Sequence, residues 1–237
     1  MKSVLVTGAN SGIGFATVKL FLENGYKVFA HYNLNKKNLE LIDNTNLLLF
    51  QADFKNILET EELFDSIIKE TNKIDVLVNN AGLYISVNEF DNLDIEILND
   101  TINVNLKSPF ILSKKYIKLM KKYNEGRVIN ISSIGVKYGG SPNSMPYTLS
   151  KSALETMTKS FAKEGAKYNI LVNALRVGVT DTDIHNSAKR KNMQNRINMI
   201  PLKRMAEPKE IAEYILFLAS QRSNFTTGSI ITIAGGE

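Results

Sequence analysis

Three side chains stand out for what they could do to a carbonyl: Tyr147, Lys151 and Ser133. Tyr147 and Lys151 stand four apart in the segment PYTLSKSA, which opens on Pro146 and then reads as helix, so both project from one helix face. A phenol at its ordinary pKa of about 10 exchanges protons poorly at neutral pH. A neighbouring ammonium stabilises the phenolate and lowers that value. Ser133 follows the apolar run RVINIS, and its hydroxyl can hydrogen-bond the same substrate oxygen. The pair also has an ordinary reading, as an incidental contact on a helix that starts at a proline. Spacing alone does not choose between them, because Tyr32 and Lys36 share it without a strand-end serine upstream. The surrounding elements must bring the three groups together.

Strand-like runs at 4–6, 26–32, 47–51, 74–78, 127–132, 170–177 and 229–233 alternate with helix-like segments. The helices are expected at 13–24, 56–70, about 94–122 with a bend at Pro109, 147–168 and about 208–220. Apolar strands without strict alternation, separated by helices, predict a parallel sheet covered on both faces. Right-handed crossovers make this an α/β, doubly wound parallel sheet, a three-layer α/β/α Rossmann fold. No linker, repeat or low-complexity stretch divides the 237 residues, so one domain is expected, with a substrate lid at about 183–205.

Composition removes several classes of function. There is no cysteine, which excludes disulfides, thiol nucleophiles and thiolate metal sites. Two histidines, His31 and His185, make a histidine-rich metal site improbable, and no metal is expected. The net charge of +5 is spread over doublets such as Lys36-Lys37 and Lys121-Lys122, a pattern that tolerates an anionic substrate and gives no case for nucleic acid. No apolar run approaches a membrane span, and the N-terminal strand reaches Gly8 too soon for a secretory leader. A soluble, cytoplasmic protein without a membrane partner is expected.

The first strand runs into Thr7-Gly8-Ala9-Asn10-Ser11-Gly12-Ile13-Gly14, which opens the first helix. Gly8 suits the tight turn, Gly12 the close approach of backbone to a pyrophosphate, and Gly14 the packing of helix on strand. The free N–H groups of the helix start suit phosphates. An acid about 20 residues further on would mark NAD by binding the ribose 2′-hydroxyl. Here the second strand ends in His31, Tyr32 and Asn33, then Lys36-Lys37, with no acid before Glu40. That favours NADP(H) over NAD(H), although Lys36 and Lys37 also read as the start of a solvated helix.

Taken in order, TGANSGIG at 7–14, Asp53, NNAG at 79–82, Asn105 in NVNL, Ser133, Tyr147 with Lys151, VGVTDT at 177–182 and TGSIITIAGG at 227–236 resemble the short-chain dehydrogenase/reductase family over essentially the whole chain. The pattern is most similar to its 3-oxoacyl carrier-protein reductase-like branch. The resemblance implies catalytic Ser133, Tyr147, Lys151 and Asn105, the last holding a water that links Lys151 to solvent. It implies that Lys151 also holds the nicotinamide ribose. It implies cofactor contacts from Gly8, Asn10, Ser11, Gly12, Ile13, Gly14 and Asn33, and from Asp53 at the adenine with Phe54 beside the ring. Further contacts are implied from Asn80, Ala81 and Gly82 near the adenosine ribose, and from Gly178, Thr180 and Thr182 at the nicotinamide. NNAG also reads as a tight strand-to-loop turn, and Asp53 as a loop residue. Val177 stands where the family usually has proline.

The implied reaction is NADPH-dependent reduction of a ketone, with a 3-oxoacyl thioester as the leading substrate and a keto-sugar or nucleotide sugar as the alternative. A cofactor-binding regulator without catalysis is the alternative of another class. The basic residues His185, Lys189, Arg190, Lys191, Arg196, Lys203 and Arg204 read either as a handle for an anionic or carrier-bound substrate or as a solvated lid. A homo-oligomer, tetramer or dimer, is implied, built partly on the helices at about 94–122 and 147–168.

Overall fold

The computed structural model describes residues 1–182 and 193–237, and its strands form one seven-stranded sheet. These are β1 (Ser3–Val6), β2 (Lys27–Tyr32), β3 (Leu47–Gln51), β4 (Val76–Asn79), β5 (Gly126–Ser133), β6 (Ile170–Val177) and β7 (Ile230–Ile233). All pairs are parallel, in the order β3-β2-β1-β4-β5-β6-β7.

Successive residues of a strand face opposite sides of the sheet, and both sides are buried. Val4, Val6, Val28, Ala30, Val76 and Val78 join one core with Val18 and Phe21 of α1 (Gly12–Glu23) and Ile211 and Ile215 of α9 (Pro208–Ala219). Leu5, Phe29 and Leu77 join a second core with Leu63 and Ile67 of α3 (Ile57–Glu70) and Leu112 and Tyr116 of α5 (Ser108–Met120). The result is the expected three-layer, doubly wound fold. The strand order reverses between β1 and β4, which opens a crevice at the carboxyl ends of the strands.

The helix expected at about 94–122 is not continuous. It consists of α4 (Ile95–Ile102), a wider π-helical turn at Asn103–Lys107, and α5. The Ser108 N–H reaches back five residues to Asn103 O. Pro109 has no N–H to give the Asn105 carbonyl at α-helical spacing. The proline therefore acts through the turn before it, and Asn105 sits inside that irregularity.

Short helices α2 (Lys37–Glu40), α6 (Gly135–Tyr138) and α8 (Met193–Met199) gave no periodic signal at their lengths. The helix after Tyr147 begins slightly earlier, as α7 (Met145–Ala166), with Pro146 in its first turn. Among the described residues no helix is long and apolar enough to cross a membrane.

Candidate active site

The glycine loop is shaped by its glycines and braced by its neighbours. Gly8 and Gly12 have φ of 63° and 51°, the left-handed region. A Cβ on Gly14 would lie 2.1 Å from the Gly8 carbonyl oxygen, so α1 packs on the loop only with glycine there. Ser11 caps α1 without a side-chain capping bond, and no acid lies in the first turn, which leaves the helix start suited to an anion. Asn10 Oδ1 is a buried acceptor with no hydrogen-bond partner among the described residues. Residues and backbone here fit a dinucleotide.

His31 is the brace under this loop. Its Nδ1 accepts from the Gly8 N–H (3.1 Å), and its Nε2 lies 3.0 Å from the Ala52 carbonyl, to which it must donate. Both bonds are satisfied only by the neutral ring protonated at Nε2. Burial pulls the pKa down from 6.5 to about 4, which keeps it neutral. The ring stacks on Phe54, with centroids 4.0 Å apart. The Phe54 side chain is thereby buried and forms part of the support beneath the glycine loop. Asp53 remains at the end of β3, where Oδ1 accepts from the Lys55 N–H (3.0 Å).

The NNAG turn serves the same brace. Thr7 Oγ1 accepts from the N–H groups of Asn80 and Ala81, each at 3.0 Å. Asn80 Nδ2 donates back to the carbonyls of Thr7 (2.9 Å) and Gly8 (3.0 Å). The Asn80 amide nitrogen thus locks β4 to the glycine loop, in agreement with the turn reading of that motif. Asn33 is exposed just beyond β2. Lys36 pairs with Glu40 at 2.9 Å, and α2 begins at Lys37.

At the other end of the crevice, α7 brings Tyr147 and Lys151 to the carboxyl end of β5. Lys151 is 3% exposed; its Nζ donates to Ile131 O (2.8 Å) and lies 5.7 Å from the Tyr147 ring centroid. It has no carboxylate partner among the described residues, and burial lowers its pKa from 10.5 to about 8. Tyr84 packs edge-on against the Tyr147 ring at 5.0 Å.

Ser133 Oγ accepts from the Gly135 N–H (3.2 Å), which leaves its own proton available to a second acceptor. A Cβ on Gly135 would lie 3.4 Å from Ser133 Oγ and 3.6 Å from Thr148 Oγ1, so the serine lies beside the first turn of α7. Asn105 is fully buried: Oδ1 accepts from Leu83 N–H (2.7 Å), and Nδ2 donates to Leu83 O (2.9 Å) and Ser150 Oγ (3.0 Å). Ser150 Oγ donates to Tyr147 O (2.6 Å). A Cβ on Gly82 would come within 3.7 Å of Lys151 Nζ and 3.8 Å of Asn105 Oδ1, so these three positions converge.

The third wall follows β6. A Cβ on Gly178 would lie 2.7 Å from Ala234 Cα, and one on Gly12 would lie 2.6 Å from Thr182 Cγ2. Thr180 is buried and donates to Gly178 O (3.2 Å). The loop after β6 therefore lies against the glycine loop. A cavity of about 790 Å³ opens at Gly12 and Thr182 and extends along the outer side of α1 past Phe15 to Met205.

Residues 8–237 match the family model described as enoyl-(acyl carrier protein) reductase. The chain belongs to the short-chain dehydrogenase/reductase family. It is 37% identical to the 3-oxoacyl-[acyl-carrier-protein] reductase FabG of Thermotoga maritima, over 99% of this chain and 97% of the relative. It is 33% identical to a 3alpha-hydroxysteroid dehydrogenase of Mediterraneibacter gnavus, over 99% and 96%. Among solved structures it resembles a 4-hydroxyisoleucine dehydrogenase complexed with NADH, with a TM-score of 0.91, 32% identity, and coverage of 100% of this chain and 98% of that one. The protein is an NAD(P)-dependent oxidoreductase acting on CH–OH or C=O groups.

In this short-chain dehydrogenase/reductase the basic residues between 193 and 205 are largely paired. Arg196 binds Glu237 (2.5 Å), Arg204 binds Glu210 through two contacts (2.7 and 2.8 Å), and Lys203 donates to Asn198 O (2.7 Å). His185, Lys189, Arg190 and Lys191 lie outside the described residues. Ile200 is buried at 2%, whereas Met199 is 71% exposed. Thr7, Tyr84, Ser150, Glu155 and Arg176 were not singled out by sequence, because each acts through a contact far away in the chain.

Proposed function

We propose that this chain is a single-domain, NADPH-dependent reductase that converts a ketone, with 3-oxoacyl thioesters as the leading class, to a secondary alcohol. The observation that carries the reading is the buried Lys151 ammonium, without a carboxylate partner among the described residues, beside the Tyr147 ring. Reduced nicotinamide supplies hydride to the carbonyl carbon when the cofactor is bound. Tyr147 then gives its proton to the carbonyl oxygen, and Lys151 stabilises the phenolate left behind. Ser133 donates its free O–H to the same oxygen, since its acceptor side is held by Gly135. Lys151 also holds the nicotinamide ribose. The Asn105 carbonyl, deprived of an i+4 donor by Pro109, holds a water through which the proton is restored.

The glycine loop, Asn33, Asp53, the NNAG turn, Gly178, Thr180 and Thr182 hold the cofactor. Absence of an acid at the end of β2 supports NADPH, and Lys37 and Asn33 are exposed groups just beyond that strand that would suit a 2′-phosphate. An affinity for NADH equal to or tighter than that for NADPH overturns this choice. A second reading, reduction of a small free keto compound, is supported by the internal pairing of Arg196, Lys203 and Arg204, which leaves less charge for a carrier-bound handle.

An apolar hollow of about 460 Å³ between α5 and α7, lined by Leu106, Phe110, Met157 and Phe161, supports a homotetramer built on these helices. The absence of cysteine supports a cytoplasmic setting.

The deciding experiment follows NADPH oxidation with acetoacetyl thioesters, free keto acids and keto-sugars, in wild type and Tyr147→Phe. Turnover that disappears in the variant while NADPH affinity holds is the expected result. Full activity of Tyr147→Phe refutes the acid, and tight NADPH binding without turnover of any carbonyl favours a regulator.

A further inference from the structure

Glu155 is a buried carboxylate for which the proposed chemistry has no use. It lies on α7 one turn beyond Lys151 and two turns beyond Tyr147, so the three side chains share a helix face. Its Oε1 accepts from Ser132 Oγ (2.7 Å) and Arg176 Nε (2.9 Å), and its Oε2 accepts from Arg176 Nη2 (2.6 Å). Ser132 and Arg176 are partners in the β5–β6 ladder, and the next rung is Ser133 with Val177. The Ile134 N–H bonds to Val177 O (2.8 Å), one step beyond.

A single carboxylate thus joins the helix that carries Tyr147 and Lys151 to the strand that ends in Ser133. It also grips the strand that feeds Gly178. The fork of two parallel N–H···O bonds fixes orientation as well as distance. Glu155 is 7% exposed and its bond to Ser132 is buried, so water competes little there, while Arg176 is partly exposed.

We propose that Glu155, held by Arg176 and Ser132, is a positioning residue that sets the Tyr147 hydroxyl and the Ser133 hydroxyl on one substrate oxygen. This rests on Tyr147 being the proton donor. Two donors on different elements converge on one atom only if the elements keep a fixed offset, and a misplacement of about 1 Å costs on the order of a hundredfold in rate.

The test compares Glu155→Leu, Glu155→Gln and Ser132→Ala with Tyr147→Phe. Readouts are kcat and KM with an acetoacetyl thioester, NADPH affinity by fluorescence, and a crystal structure of each Glu155 variant. Glu155→Leu is expected to lower kcat roughly 10- to 100-fold, with KM and NADPH affinity held within about twofold. Glu155→Gln keeps an acceptor for Ser132 and recovers part of the loss.

Wild-type kcat in Glu155→Leu overturns the proposal, as does a loss of NADPH affinity in step with kcat. Where Glu155→Leu does not fold, Ser132→Ala removes only the link to β5. It is then expected to lower kcat several-fold with cofactor affinity kept, and wild-type kcat overturns the idea. Unmoved Tyr147 and Ser133 in the variant crystals overturn it whatever the substrate. An active Tyr147→Phe refutes the reaction itself, whereas an inactive Tyr147→Phe beside a fully active Glu155→Leu refutes the positioning role alone.

Discussion

Replacing Lys151 with methionine should make the protein more stable while removing its activity. The ammonium is buried, and its pKa falls from 10.5 to about 8 through desolvation alone. A tenfold change in proton affinity corresponds to 1.36 kcal/mol, so charging this lysine in the folded state costs about 3 kcal/mol at pH 7. Against that stands the hydrogen bond to Ile131 O, with a net value of about 1 kcal/mol. Methionine fills most of the same volume and carries no charge. A net gain of about 2 kcal/mol is expected, which at this chain length raises Tm by about 4–8 °C.

The sign has a pH signature. A lysine with a depressed folded pKa loses stability as pH falls from 10.5 to about 8, because the unfolded chain takes up the proton first. Below pH 8 the cost is fully present. The gap between variant and wild type should therefore be widest at pH 7 and close towards pH 10.5. Urea unfolding of the cofactor-free protein at pH 7 and pH 10 measures it. A variant less stable than wild type at pH 7, or a gap that does not change with pH, refutes the argument that Lys151 is a strained, solvent-deprived cation.

Two other perturbations test the cofactor end. His31 ordinarily titrates at 6.5 and here at about 4, so the wild type should lose about 3 kcal/mol as pH falls from 6.5 through 4. His31→Gln should flatten that acid limb in urea unfolding, and an unchanged limb removes the neutral-brace assignment. Gly14→Ala places a Cβ 2.1 Å from Gly8 O, so α1 must withdraw from the loop. NADPH affinity, read by fluorescence, should fall by at least about tenfold, and near-wild-type affinity shows that the loop yields without cost.

Much of the sheet was legible because a doubly covered parallel strand is an unmistakable apolar run. Ser133, Tyr147 and Lys151 were legible as a pattern, since a helix places i and i+4 together and a strand end places Ser133 nearby. What stayed hidden depends on long-range contact. Phe54 follows Asp53 in sequence, and nothing local says that His31 claims its ring. His31 itself looked like a ribose-side position, yet β2 turns its ring inward, between Gly8 and Ala52. The π turn was only half legible: Pro109 signalled a bend, but the bend falls in the preceding turn, where the missing N–H is felt. The roles of Arg196 and Arg204 could not be assigned, because their partners Glu237 and Glu210 lie in other elements.

The departure at Val177 gains a physical meaning from these neighbours. Proline there would remove a backbone donor at the last rung of β6. With valine, β6 pairs through residue 177 to Ser133 on one side and Ile233 on the other. The Gly178 N–H bonds to Ile233 O (2.8 Å), so the ladder holds into the start of the loop after β6. One residue earlier, Arg176 is clamped by Glu155. Backbone and side chain thus fix the same point of β6 from two directions. The same end of the sheet carries the groups that folding alone would not choose: a buried lysine without a carboxylate among the described residues, a histidine that must stay neutral, an asparagine in a π turn, and a partly buried ion pair. Desolvation and an irregular helix each carry a cost there, and the hydrogen bonds of Asn105, Thr7 and Glu155 tie the same elements together.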